Sequence, residues 1–227
     1  SEEQTLIDNC YFYARPSETI FSGSCKILNS SYSEINGSLI HFSSNVNRAS
    51  TTVIDKCFGV GSNRGTNALM YHSEALITSS ANVTNVRITG CNFEDGDEAV
   101  FTTDSYDDFE ITVENNNFKD FKWCFFGGTG GGIGVEKFLK VNNNSFNNCG
   151  PIWFDSGTPS QVYDRTGWSH IVINNNTFIN TRLQFNQGGI LDIENNRFLW
   201  DASKVTKYDY SVNTLNGSNA FNYIVHF

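Results

Sequence analysis

Two stretches, Ile111-Thr112-Val113-Glu114-Asn115-Asn116-Asn117-Phe118 and Leu139-Lys140-Val141-Asn142-Asn143-Asn144-Ser145-Phe146, decide how this chain folds. Each reads apolar, any, apolar, two residues, Asn, any, aromatic. Toward the C-terminus the pattern returns as Ile171-x-Ile173-x-x-Asn176-x-Phe178 and Leu191-x-Ile193-x-x-Asn196-x-Phe198. Toward the N-terminus it runs Val86-x-Ile88-x-x-Cys91-x-Phe93, a degenerate Thr52-x-Ile54-x-x-Cys57, Cys25-x-Ile27-x-x-Ser30-x-Tyr32 and Thr5-x-Ile7-x-x-Cys10-x-Phe12. An internal repeat of this kind sets the architecture before any single residue does.

Apolar pairs with period two, rich in Val and Ile, are short strands with one face inward. The Asn that follows is expected to take the left-handed backbone of a sharp bend. Its amide can also bond to the equivalent Asn of the neighbouring repeat. The aromatic two residues on starts the next inward strand. A second inward pair follows each copy: Thr19/Phe21, Ile40/Phe42, Leu69/Tyr71, Ala99/Phe101, Cys124/Phe126, Ile152/Phe154 and Leu183/Phe185. The Asn-slot positions 10, 30, 57, 91, 116, 144, 176 and 196 are 20 to 34 residues apart, which suits fixed strands joined by one elastic turn. The pattern predicts an all-β chain, a single-stranded right-handed parallel β-helix (solenoid) of about eight coils with an Asn/Cys ladder and a Phe stack. At ~4.8 Å per coil, such a rod is roughly 40 Å long. One domain is expected over residues 1–227. Its repeat coils cover about 5–200, and 201–227 form an irregular final coil or cap.

The formal charge of −9, from 24 acidic and 15 basic side chains, argues against nucleic acid or an anionic membrane as partner. No run approaches the ~18 apolar residues of a transmembrane helix, and the opening Ser1-Glu2-Glu3-Gln4 does not read as a signal peptide. Asn-x-Ser/Thr acceptors at Asn29, Asn36, Asn82, Asn143, Asn175 and Asn216 point to an extracellular protein or one on a cell or virion surface. Six cysteines are compatible with disulfides in an oxidising compartment. Cys57 and Cys91 fall on one track in adjacent coils, inside disulfide range. Cys10 with Cys25 and Cys124 with Cys149 are further candidates. The alternative reading is of buried thiols acting as small hydrophobes. No Cys/His spacing suits zinc.

Length variation after the second inward pair gathers connecting loops on one side of the rod, where binding usually resides. Segment 102–110 is acidic, 127–134 is Gly-rich, and 155–170 carries Asp155, Tyr163, Asp164, Arg165, Trp168 and His170. The Gly run lacks the Lys-Ser/Thr of a phosphate loop and reads as a turn. Aromatic faces at Tyr163 and Trp168, with Asp155, Asp164 and His170, suit a saccharide groove.

Val86–Phe93 followed by Asp95-Gly96-Asp97, Ile111-x-Val113-x-Asn115-Asn116-x-Phe118, and Arg165-Thr166-Gly167-Trp168-Ser169-His170 ahead of a strand together resemble the pectate lyase family. The resemblance implies Arg165 as the base that takes the proton α to a uronate carboxylate, with Asp95, Asp97 or Asp104 as calcium ligands. Otherwise no cofactor is required. Two functions are carried forward. The first is a non-enzymatic structural or adhesive module, a glycosylated fibre subunit stacking end to end on copies of itself. The second is a polysaccharide lyase or hydrolase of pectate-lyase or phage-tailspike type using the loop face.

Overall fold

The computed structural model describes residues 5–13, 20–21, 25–33, 40–42, 50–60, 77–79, 83–94, 98–103, 109–121, 123–128, 137–150, 152–155, 169–186, 189–201, 203, 214–215 and 223–226. Among them every extended element is a β-strand, and every strand pairing is parallel. The first sheet holds nine strands: β1 (Thr5–Asp8), β4 (Cys25–Leu28), β7 (Ser50–Asp55), β10 (Val83–Thr89), β13 (Phe109–Glu114), β16 (Lys137–Asn142), β19 (His170–Asn174), β22 (Gly189–Glu194) and β25 (Tyr223–His226). The second sheet holds β2 (Tyr11–Tyr13), β5 (Ser31–Ser33), β8 (Phe58–Val60), β11 (Asn92–Glu94), β14 (Asn117–Lys119), β17 (Ser145–Asn147), β20 (Thr177–Ile179) and β23 (Arg197–Leu199). The third holds β3 (Ile20–Phe21), β6 (Ile40–Phe42), β9 (Ile77–Ser79), β12 (Glu98–Thr103), β15 (Trp123–Gly128), β18 (Ile152–Asp155), β21 (Leu183–Asn186) and β24 (Thr214–Leu215). Each sheet takes every third strand in chain order, so three successive strands make one rung and the rungs stack in sequence. This arrangement is compatible with a β-helix.

The repeat lies in register across the rungs. Val86, Ile111, Leu139, Ile171 and Leu191 align, as do Ile88, Val113, Val141, Ile173 and Ile193. Except for the half-covered Ile193, these side chains are buried. The aromatic slot stacks Phe93, Phe118, Phe146, Phe178 and Phe198 with ring centroids 4.9 to 5.5 Å apart. A second column pairs Phe154 with Phe185 at 4.8 Å. In the degenerate repeat the slot falls to Gly59, in register between Tyr32 and Phe93.

Each passage from the first to the second sheet takes two residues. Here the expectation is corrected in one respect. The left-handed backbone belongs to the residue before the ladder position: Asn9, Asn29, Lys56, Gly90, Asn115, Asn143, Asn175 and Asn195 all have φ between 48° and 64°. The ladder residue behind it is left to bond. Asn116 Nδ2 donates to Asn144 Oδ1 at 3.0 Å, Asn144 Nδ2 to Asn176 Oδ1 at 3.1 Å, and Asn176 Nδ2 to Asn196 Oδ1 at 3.0 Å. Each Nδ2 also donates to a strand carbonyl, of Ile88, Val113 and Val141 in turn. Backbone N–H groups of Cys91, Asn116, Asn144 and Asn176 complete the array on the neighbouring Oδ1.

A second corner, between the second and third sheets, repeats the device. Asp120, Asn148 and Asn180 take positive φ, and Phe121, Cys149 and Thr181 follow them inward. The chain signal is Phe-x-Asp/Asn in Phe118–Asp120, Phe146–Asn148 and Phe178–Asn180.

Two further corrections concern connections. The third-sheet strand between β6 and β12 is Ile77–Ser79, not a pair at Leu69 and Tyr71, which lie outside the described residues. The insertion in that repeat therefore precedes the third sheet, so length varies at two corners and not one. Past residue 203 the described residues are β24, paired with β21, and β25, paired with β22.

Candidate functional site

The described side chains that gather chemistry lie on the outer face of the first sheet. Alternation along β19 sends Ile171 and Ile173 inward and leaves His170, Val172 and Asn174 on the other face. His170 is in register with Phe138 on one side and Ile190 on the other. The Phe138 ring lies 5.9 Å from the imidazole, tilted by 55°. One strand over and two residues along, Asp192 places Oδ2 2.6 Å from His170 Nε2. Both side chains are about a quarter exposed. A contact this short is a charge-assisted hydrogen bond that holds the imidazole in one orientation.

The rest of this face is cross-linked by ion pairs. Lys140 Nζ meets Glu110 Oε1 at 2.9 Å, and Thr112 Oγ1 donates to the same oxygen at 3.0 Å. Arg87 approaches Glu114 at 3.7 Å. Such half-exposed pairs are worth about 0–1 kcal/mol each. Glu110 is therefore a strand residue of this face rather than part of an acidic loop. Likewise Thr102, Thr103, Gly127 and Gly128 are strand residues in register with one another, and Gly127 also aligns with Asp155.

Of the sequence-derived site residues, His170 is on this face. Asp155 ends β18, in register with Gly127 and Asn186. Tyr163, Asp164, Arg165 and Trp168, and the calcium candidates Asp95, Asp97 and Asp104, lie outside the described residues. Among the described residues no three His, Cys, Asp or Glu side chains form a metal-sized group. Asn29, Asn143 and Asn175 are exposed and all occupy the positive-φ position of the first corner, where Asn29 Nδ2 donates to Asp8 Oδ1 at 2.9 Å. Asn36, Asn82 and Asn216 lie outside the described residues.

All six cysteines are free thiols. Cys10 and Cys25 do not face each other: the register sets Cys25 beside Thr5, and Cys10 accompanies Ser30, whose Oγ accepts its N–H at 3.1 Å. The reason is arithmetic, since this repeat is 20 residues long and Cys10 projects onto Ser30. Cys57 and Cys91 are neighbours, joined through their thiols and by Cys57 N–H on Cys91 Sγ at 3.4 Å. They act as ladder steps, Cys57 Sγ donating to the carbonyls of Ile27 and Asp55. Cys124 and Cys149 also interact through their thiols.

Comparison with known protein families, curated proteins and solved structures finds no match. The likeness to pectate lyases therefore stands on the residues that carry it. Asp192 and Phe138 escaped the sequence reading, although a signal existed. Aligning Ile171 with Leu191 puts Asp192 diagonal to His170, and aligning it with Leu139 puts Phe138 beside it.

Proposed function

We propose that this chain is a single right-handed parallel β-helix of about eight coils that serves as an extracellular structural or adhesive module and associates end to end with copies of itself. One observation carries this reading. The internal Phe column, covered at Phe93 through Phe178, reaches Phe198 with 44% of its surface exposed, beside Trp200 at 46%. At the opposite end of the stack the inward Ile7 and Phe12 are only partly covered, and Leu6, Tyr11 and Tyr13, which alternate with them on the outer face, are 57 to 64% exposed. Apolar surface at both ends of a parallel stack is what a second copy would cover. Head-to-tail contacts of this kind propagate into filaments because nothing closes them. The exposed sequons at Asn29, Asn143 and Asn175 share the first corner, none of them in the first or the last rung. Negative-stain electron microscopy with size-exclusion chromatography tests the proposal. Filaments with an axial repeat of about 40 Å are expected, and discrete monomers at high protein concentration would overturn it.

A second reading, a polysaccharide lyase or hydrolase, is favoured by topology. Segments 104–108, 129–136 and 156–169 each join a third-sheet strand to the next first-sheet strand, so they begin and end at one corner of the stack. In the sequence Asp104 belongs to the first of these segments, and Arg165 and Trp168 to the third. Calcium-dependent cleavage of polyuronate, lost in Arg165→Ala, would establish this activity. A monomeric protein without it would leave neither reading standing.

A further inference from the structure

We propose that Tyr11, Tyr13 and Phe58 form a binding platform for an uncharged β-linked polysaccharide on the outer face of the second sheet. The three side chains are 64, 57 and 45% exposed. Alternation along β2 and β8 turns them away from the core, since Phe12 packs against it and Gly59 is buried. Tyr11, Ser31 and Phe58 form one row across three rungs, with Tyr13 and Ser33 in the row beside it. From the fourth rung onward the same rows turn polar, first at Asn92 and Glu94 and then at Asn117 and Lys119. Outward rings are therefore not something the fold demands of this face.

Geometry and charge decide the class of ligand. Tyr11 Oη and Ser33 Oγ are hydrogen-bonded at 2.7 Å, although Ser33 stands one rung over and two residues along. That bond draws the Tyr11 ring across the face instead of letting it stand off into solvent. The Tyr13 ring has its centroid 6.1 Å away, with 26° between the two planes. Phe58 lies two rungs from Tyr11, with the small Ser31 between them, an offset of about 9.6 Å. This spacing is close to that of alternate rings in an extended β-linked sugar chain, whose C–H faces stack on aromatic rings. Tyr and Ser hydroxyls in the same rows supply the few polar contacts such a chain needs. No charged side chain stands at these positions, and the net charge of −9 disfavours a polyanion. The platform differs from the loop face of the lyase reading in position and in the charge of its ligand. Nor does it rest on end-to-end association, because a copy stacked on the first rung would cover the edge of β2 and leave its outer face open.

The test is calorimetric titration with cellohexaose, xylohexaose and chitohexaose, and a parallel titration with polygalacturonate. Saturable binding of at least one of the three uncharged sugars is expected, with an affinity that salt does not change. Tyr11→Ala and Phe58→Ala should each weaken it about tenfold or more. Ile190→Ala, which removes an exposed apolar side chain from the first sheet, should leave it unchanged. Size-exclusion chromatography of the same variants should match the unaltered chain, so sugar binding and end-to-end contact are read separately. Binding of none of the three, binding that survives both ring deletions, or equal loss in Ile190→Ala would overturn the proposal. Binding of polygalacturonate alone would overturn it too and return the saccharide to the loop face. A ring deletion that releases copies of the chain from one another would make a second copy the occupant of this face instead. Thermal melts establish that each variant folds, and if Tyr11→Ala does not, Phe58→Ala decides the question.

Discussion

Lys56 holds φ of 52°, a conformation that its counterparts in other rungs give to Asn or Gly. A β-carbon at such a position costs about 1 kcal/mol, and Asn tolerates it better than Lys. Its ion pair with Asp55, at 3.8 Å and largely exposed, offsets little of that. Lys56→Asn should therefore stabilise the protein by about 0.5–1 kcal/mol, read as a higher midpoint in thermal or urea denaturation. The ladder residue of the same corner behaves in the opposite way. Asn144 is buried and satisfies the Asn116 N–H and the Val113 carbonyl. Asn144→Leu leaves both groups without a partner, at about 1–3 kcal/mol each. A loss of about 2–5 kcal/mol in denaturant stability is the expected outcome, and a loss below 1 would mean the ladder is incidental.

At the scale of the element, the cysteines replace Asn or Ser as ladder and core steps, which gives them a chemical signature. Cys10 is exposed and the other five are buried. Iodoacetamide on the native protein should add one label by mass spectrometry, and on the unfolded chain six. Burial pushes the Cys25 thiol up to about 12, and burial with its Cys149 contact also raises Cys124. A thiol is neutral below its pKa, so the folded state holds the Cys25 proton more tightly than the unfolded chain, whose value is 9.0. The stability this contributes is whole below about pH 9 and is lost as pH rises through about 12. Urea midpoints measured from pH 8 to 11 should fall, and Cys25→Val should flatten that slope. The strands themselves were readable because Val113, Val141 and Ile173 stand at a fixed distance from their ladder Asn. Ile77–Ser79 was not readable. It carries a single apolar residue and follows an insertion whose length nothing in the sequence limits. His170 stood out by residue type, but its partner Asp192 is 22 residues away and becomes visible only once two repeats are laid side by side.

Across the whole molecule the two ends differ from the middle. Phe118 and Phe146 are sealed by rings above and below, whereas Phe198 has one neighbour, Phe178, in the described column. If copies meet there, Phe198→Lys should return filaments to monomers by size-exclusion chromatography. Because that ring is already 44% exposed, the cost to the melting temperature should be small. The three corners also differ, in a way that bears on how a gene for such a chain can change length. At the corner between the first and second sheets every crossing has two residues, and a third would turn the next strand's inward Phe toward water. At the other two corners, crossings range from two residues after β21 to sixteen after β8. Codon insertions and deletions can therefore accumulate at two corners and are purged at the third. New surface features would be acquired there without disturbing the stack.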